Sequence, residues 1–345
     1  MKRIWGSRSL APLYPDKTNL PEPLGEVWLT AVDCPIGSGP YRGKFLGAAW
    51  REMPVAWRGT SLANVPEFPI LVKFIFPADK LSIQVHPDDA YASANEKAAG
   101  GHGKTEMWHA VTAQKDAQVL IGLKPKVTRE QFLKAIEERT VEKLFESHPV
   151  SPGDTFFIPA GTPHAIGPHM VLCEIQEYSD LTYRVYDYGR TDAHGNPREL
   201  HIEKALEVTD FAKTAPGGRI SPVLVGAQHA APRLGNPPSR MLAACHFFSA
   251  ERQDFETDIE TQSNPFRFEV VVFLSGKGII AWQDQQSPYN AGECWFIPAL
   301  LGKFSLSPQS ATSIIRSAVP NMATLRGELQ KEGMSAQEID KVLFK

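Results

Sequence analysis

Apolar positions along this chain fall in short alternating or continuous runs, not in long helical stripes. From Phe68 the pattern is dense: FPILVKFIF, and then residues 80–85 (KLSIQV), are β-branched and apolar runs parted by the turn residues Pro77, Ala78 and Asp79, and they predict two adjacent strands. Strand signals return at 105–111, at Gln118–Leu123 and from 150 through 175, where Pro152-Gly153 and Pro159-Ala160-Gly161 supply turns. Between them, Asp88 is placed to cap a short helix after His86-Pro87. Thr128 with Gln131 three residues on reads as a capping box, and Phe132, Leu133, Ile136, Leu144 and Phe145 give that helix and its continuation an apolar face. The Pro-, Gly- and aromatic-rich start, with short pieces such as EVWLT at 26–30, reads as a wrapping arm followed by edge strands.

Regularly spaced short strands predict an antiparallel sandwich or barrel. The stretch 215–240, with Pro216-Gly217-Gly218 and Asn236-Pro237-Pro238, reads as a connector, and a second block of strands follows from Met241 to about Ser317. In the first block five residues separate Gly153 from Pro159; in the second, five separate Gly292 from Pro298, and FFIPA matches WFIPA. This suggests two barrels of one design, two ordinary strand-turn units being the plainer account. After Met322 the tail reads as terminal helices, with Ser335 and Glu338 as another capping box.

With 345 residues and 42% hydrophobic content, the chain is long enough for two or three domains with buried cores. The net charge is −3, and no basic stripe is present to track a phosphate backbone, so nucleic acid is not an expected partner. The opening MKRIWGSRSLAPLYPDK lacks a continuous apolar core, and no run is long enough to cross a bilayer; the expectation is a cytoplasmic protein without a membrane role. Cys34, Cys173, Cys245 and Cys294 form no CxxC pair, which suits reduced, mostly packed thiols.

Chemistry concentrates in the first block. Alternation along a strand gives Gln84 and His86 one face, inward if Ile83 and Val85 pack outward; alone, such a pair is as well explained by structural hydrogen bonds. Gly153, Pro159, Gly161 and His164 fit the second motif of the cupin superfamily, in which a Pro-x-Gly turn reverses the chain and a histidine projects into the barrel from the next strand. Glu106, in TEMWHAV, completes a set of two imidazoles, one carboxylate and one amide that suits a zinc-type cation, although a salt-bridged glutamate is the commoner fate. His102, in a Gly loop, reads as solvated, and His109, an odd number of residues from Glu106, should face away from it.

Four blocks, LSIQVHPDD (81–89), GKTEMWHAV (103–111), GDTFFIPAGTPHAIG (153–167) and EIQEYSDLTYRVYDYGR (174–190), resemble the type I mannose-6-phosphate isomerases, or phosphomannose isomerases, of the shorter bacterial kind. They stand in the family's order over the first two thirds of the chain. The resemblance implies a mainly β fold of two cupin (jelly-roll) β-barrels, with a small helical insertion near 128–147 and C-terminal helices. It also implies one Zn2+ on Gln84, His86, Glu106 and His164. The implied reaction interconverts mannose 6-phosphate and fructose 6-phosphate through a cis-enediol. Arg184 and Lys104 match active-site positions, and Lys73 and Ser82 match positions tied to phosphate; for Lys73 a snorkelling edge-strand lysine is the alternative. Asp180 matches a position considered for proton transfer, with Glu174, Glu177, Lys104 and a metal-bound water also open. Longer members often carry a histidine before the active-site lysine, where this chain has Gly103.

The expected domains are a catalytic barrel at 1–214, the connector at 215–240, and a metal-free second barrel with helices at 241–345. There Leu300 and Lys303 replace the residues equivalent to Gly161 and His164, and Lys303 could serve some anionic ligand. The expected partner is a small sugar phosphate, and the chain is expected to be a monomer or homodimer. Two competing readings are an iron-dependent cupin oxygenase, which a fourth protein ligand at Gln84 disfavours, and a non-catalytic sugar-binding or regulatory bicupin.

Overall fold

The computed structural model describes residues 1–191, 195–212, 217–225 and 237–344. Its strands form two pairs of sheets, mainly β as expected. In the first pair, one sheet has the order Gly218–Ile220, Thr155–Ile158, Glu106–Ala113, Met170–Glu177, Ile70–Ile75, Glu26–Trp28. Its companion has the order Tyr183–Tyr186, Ile83–Val85, His164–Ile166, Gln118–Leu123, Phe145–Pro149. Ladders such as Glu106–Ala113 with Met170–Glu177 and Gln118–Leu123 with His164–Ile166 are antiparallel.

Alternation decides what lies between the two sheets. Ile75, Trp108, Phe156 and Leu172 from the first meet Val119, Ile121 and Ile166 from the second in one buried apolar cluster. Each such side chain contributes about 1.5–3 kcal/mol by leaving water. The outer face of the second sheet is apolar as well: Ile83, Val85, Ala165 and Val185 pack against Phe132, Ile136, Phe145, Ala205 and Leu206. Those partners come largely from the helices Arg129–Glu137 and Ile202–Val208 and from the strand at 145. The Thr128–Gln131 capping box is present in both halves and starts the first of these helices; Asp88 likewise caps Asp89–Asn95. The helical insertion therefore covers a sheet face that alternation alone would leave apolar and wet.

One expectation changes here. The runs around 68–76 and 80–85 do not pair with each other: Ile70–Ile75 and Ile83–Val85 belong to different sheets of the pair. Both read as apolar because each is buried on two sides.

In the second pair, one sheet runs Val223–Val225, Ser239–Ala244, Ser249–Phe255, Thr312–Ala318, Glu269–Ser275, Cys294–Ile297, and the other Ile259–Gln262, Lys303–Pro308, Lys277–Trp282, Gln285–Asn290. Phe255, Val271, Phe273, Ile280, Phe304 and Leu306 are among its core residues. Strand order repeats that of the first pair, so the short FFIPA/WFIPA match marks a duplicated architecture. Asn321 caps Met322–Lys331, and the Ser335–Glu338 box caps the last short helix.

By compactness the chain divides into one unit of residues 1–10, 17–27 and 73–219 and another of 11–16, 28–72 and 220–345. The sequence expectation grouped all of 1–214; the structure instead groups most of the early arm with the second barrel, where Trp50 and Phe68 meet Phe268 edge-on or tilted at 5.3 and 5.1 Å between ring centres. Of the expected connector, residues 215, 216 and 226–236 lie outside the described residues, and Gly218–Ile220 and Val223–Val225 are strands. The four cysteines form no disulfide, with Cys173 and Cys245 buried and Cys34 and Cys294 half-buried. Among the described residues no helix is long and apolar enough to cross a membrane.

Phe132 is fully buried, with ring centres 6.2 Å from Phe145 and 5.8 Å from Phe211. Phe132→Ala is expected to lower stability by about 3–5 kcal/mol. A urea midpoint that stayed at the wild-type value would show that the insertion is not part of the cooperative fold.

Candidate metal centre

Ile83 and Val85 occupy the covered outer face, so Gln84 and His86 turn the other way. Gln84 stands directly opposite His164 in the ladder. The turn that delivers His164 needs its glycine: Gly161 has φ of 80°, and a Cβ on it would lie 3.1 Å from the Val208 carbonyl oxygen. The Gly161 N–H donates to the His86 carbonyl at 2.8 Å, so one turn both ties down the end of the His86 strand and starts the His164 strand. On the neighbouring sheet Glu106 is paired with Ile158, and Trp108, two residues on, shares its face. His109 faces away, as parity requires, with Nδ1 2.9 Å from the Thr155 hydroxyl; His102 is exposed.

Nδ1 of His86 lies 2.8 Å from the Leu181 carbonyl, and Nδ1 of His164 lies 2.8 Å from that of Thr162. A carbonyl only accepts, so each Nδ1 carries the proton and each neutral ring presents a bare lone pair at Nε2. Those lone pairs face a carboxylate: His164 Nε2 is 3.3 Å from Glu106 Oε1, and His86 Nε2 is 3.7 Å from Oε2. Both Glu106 oxygens are buried; Oε2 meets the Lys104 ammonium, and Oε1 receives no hydrogen bond among the described residues. Lys104 serves the Oε2 side, but Oε1 and His164 Nε2 face each other as acceptors away from water, which is costly unless a cation lies between them. The donor atoms of His86, Glu106 and His164 all lie within 4.8 Å of one another. The Gln84 amide nitrogen is 3.2 Å from His164 Nε2, and its oxygen is available to the same point by an amide flip. These groups fit a divalent cation, with two imidazoles already oriented by backbone carbonyls.

Charge around the cluster is balanced by lysines. Lys104 Nζ lies 2.5 Å from Glu106 Oε2, 3.3 Å from His86 Nε2 and 3.5 Å from Glu174 Oε1. Lys73 Nζ is 2.9 Å from the same Glu174 oxygen, while Trp108 Nε1 donates to the other at 2.9 Å. Lys73 therefore does not snorkel to solvent; it is 3% exposed and ends on a buried carboxylate. Burial, with lesser help from Lys104, holds the His86 imidazole well below its usual range; burial also takes His164 down to about 4, so both are neutral at physiological pH. Burial and then Glu174 push the Glu106 carboxyl up to about 7, against the pull of Lys104. For Glu174, burial is outweighed by Lys104 and Lys73, which bring it down to about 2. Lys104 is raised despite burial because Glu106 and Glu174 flank it, and it stays an ammonium. Glu177, raised to about 8 by burial and Asp89, accepts the Thr105 N–H at 2.7 Å.

Of the remaining residues named from sequence, Ser82 is buried, and Arg184 stands opposite Gln84 in the ladder with Nη1 on the Glu199 carbonyl at 2.8 Å. Its Nε is buried without a partner among the described residues. Asp180 is half-exposed, 4.0 Å from Lys73. Gly103 has no room for a side chain: a Cβ would lie 2.5 Å from the Asp88 carbonyl carbon and 2.6 Å from the Asp89 nitrogen. The close approach lets the Lys104 N–H reach the Pro87 carbonyl at 2.9 Å, which fixes the lysine beside His86. Sequence reasoning missed Trp108 as a partner of Glu174, although its even spacing from Glu106 was the available signal. It also missed Arg198, whose charge bears on Arg184.

No family model matches the chain. It is 31% identical over 310 residues to mannose-6-phosphate isomerase ManA of Bacillus subtilis, covering 88% of this chain and 92% of that one. A crystal structure of the mannose 6-phosphate isomerase from Bacillus subtilis superposes with a TM-score of 0.79 at 28% identity, covering 92% and 96% of the two chains. A mannose 6-phosphate isomerase solved with zinc and yttrium bound shares the fold, with a TM-score of 0.66, 17% identity and coverage of 92% and 96%.

Because burial and Glu174 push the Glu106 carboxyl up to about 7, a cation entering the cluster below that pH displaces its proton. Apparent zinc affinity is expected to fall roughly tenfold per pH unit below about pH 7 and to level off above it. Competition against a chromophoric chelator measures this; an affinity flat from about pH 5 to 7 would show that no proton leaves Glu106 when the cation binds.

Proposed function

The chain belongs to the mannose-6-phosphate isomerase family, and we propose that it interconverts mannose 6-phosphate and fructose 6-phosphate through a cis-enediol. The observation that carries this reading is the buried convergence of His86, Glu106 and His164 beside a permanently charged Lys104. We assign the cation to zinc on these three residues and Gln84, since two imidazoles with carboxylate and amide oxygen suit a borderline ion. When bound, such an ion polarises sugar oxygens as a Lewis acid.

The chain's own groups supply the rest. The Lys104 ammonium is held in place by carboxylates on two strands and offers fixed positive charge for oxygens that become negative in the enediol-like transition state. Arg184, opposite Gln84 and with an unpartnered Nε, is placed to bind the anionic substrate. Lys73 acts through Glu174, which it keeps ionised and positioned against Lys104; Ser82 is retained as a phosphate contact by resemblance alone. For proton transfer we favour Asp180. Glu174 is locked by two lysines and Trp108, and Glu177 is engaged with the Thr105 N–H, whereas Asp180 is half-exposed and reachable by a sugar. Gly103 leaves no place for the imidazole that longer members carry there, so this chain's route does not use one.

A coupled isomerase assay on mannose 6-phosphate, read together with bound metal, tests these roles. His164→Ala is expected to lose metal and turnover together, whereas Lys104→Ala keeps metal and loses about 10²-fold or more in kcat. A fully active Lys104→Ala protein would remove that residue from the mechanism. Asp180→Asn is expected to lower kcat by about 10²–10⁴-fold with metal unchanged; a wild-type rate would move proton transfer to Glu177 or Glu174.

A further inference from the structure

We infer that the second barrel carries a metal-independent pocket for a small polyol bearing an oxyanion, at the position its strand register makes equivalent to the His86–Glu106–His164 cluster. The equivalence is read from pairings. Gln262 lies opposite Lys303 as Gln84 lies opposite His164, and Glu269 lies opposite Ile297 as Glu106 lies opposite Ile158. Arg316 lies opposite Val271, two residues past Glu269, as Glu174 lies opposite Trp108, two past Glu106. Lysine thus stands for the imidazole, and arginine for the second buried carboxylate.

A cavity of 410 Å³ opens there, lined by Gln262, Glu269, Lys303 and Arg316 among others, within the usual size range of about 300–1,000 Å³ for ligand sites. In this barrel the conserved-in-register carboxylate is already satisfied. Arg316 Nε and Nη2 donate to one Glu269 oxygen at 3.0 and 2.5 Å, and Nη1 donates to the Thr261 hydroxyl at 2.9 Å. What is left over is of the opposite kind. Arg267 lines the cavity with a buried Nε and no partner for its guanidinium among the described residues. Lys303 is exposed at the rim without an ion pair among those residues, and the Ser317 hydroxyl is 1% exposed without a hydrogen bond.

Unsatisfied buried donors call for acceptors, and a guanidinium without a carboxylate partner among the described residues favours a charged one. The Glu251 carboxylate, one oxygen of which accepts from the Ser239 hydroxyl, lines the same cavity and can accept from a ligand hydroxyl, which a bare inorganic anion lacks. In the first barrel the built-in lysines are matched by Glu106 and Glu174; in the second, Arg267 and Lys303 have no carboxylate partner among the described residues.

Calorimetric titration of the full chain with glucose 6-phosphate, inorganic phosphate and glucose tests this. Glucose 6-phosphate is expected to bind the metal-deficient His164→Ala protein as tightly as wild type, which separates this pocket from the isomerase reading. Replacing both cations, Arg267→Gln with Lys303→Gln, is expected to weaken that binding at least about tenfold while isomerase activity and melting temperature stay at wild-type values. Inorganic phosphate is expected to bind about tenfold more weakly than the ester, and glucose weaker still. The proposal is overturned if the His164→Ala protein binds no glucose 6-phosphate, if the single exposed-site variant Lys303→Gln and the double variant both bind it unchanged, or if glucose or inorganic phosphate binds equally well.

Discussion

Two imidazole nitrogens without protons, aimed at a buried carboxylate whose one further donor among the described residues is the Lys104 ammonium, form the constraint on which the first barrel is organised. The arrangement is stable only because each ring is fixed from behind, by the carbonyls of Leu181 and Thr162, and because the turn through Gly161 holds the ends of two strands together. Strand ends, not strand centres, carry these groups. The centre of the barrel is filled by the apolar cluster around Trp108, Phe156 and Ile166, and Trp108 marks the border: its ring meets that of His164 edge-on, 5.4 Å between ring centres, while its Nε1–H serves Glu174. One side chain therefore closes the dry interior and orients the charged end.

The buried charges near the cluster cancel. Glu106 and Glu174 are matched by Lys73 and Lys104, and the histidines are neutral. Unpaired, any one of these ions would be strongly destabilising at such depth. A divalent cation added to a neutral constellation leaves an excess of positive charge, which is the sign wanted by a phosphorylated sugar and by an enediolate. The same balance explains why Lys73 lies in the middle of an apolar strand: its partner is a carboxylate on the neighbouring strand, and solvent plays no part.

Much of this was legible beforehand because it is local. Parity along a strand separated Gln84 and His86 from Ile83 and Val85, and Glu106 from His109; the Gly153, Pro159, Gly161 spacing pointed at His164; capping boxes at Thr128 and Ser335 marked helix starts. What was not legible depends on pairing between distant strands. The burial of Lys73 follows from its lying beside Glu174, a hundred residues on, and the separation of the 70–75 and 83–85 strands into two sheets follows from how the chain crosses the barrel. The grouping of residues 28–72 with the second unit rests on aromatic contacts such as Trp50 with Phe268, which no local pattern announces.

The second barrel shows the same division between local motif and register. Sequence displayed only WFIPA and the loss of the histidine, because Leu300 and Lys303 break the motif there. The positive-φ position has moved from the equivalent of Gly161 to Gly302, yet the turn still delivers its fifth residue after proline to the start of a strand. Only the ladder reveals that Glu269 and Gln262 retain their places while Lys303 and Arg316 invert the charge of theirs. A lysine beside an arginine–glutamate pair disfavours a divalent ion at that point by simple repulsion. Duplication of one barrel has thus produced two electrostatic solutions on the same strand positions, one that needs a cation and one that supplies its own.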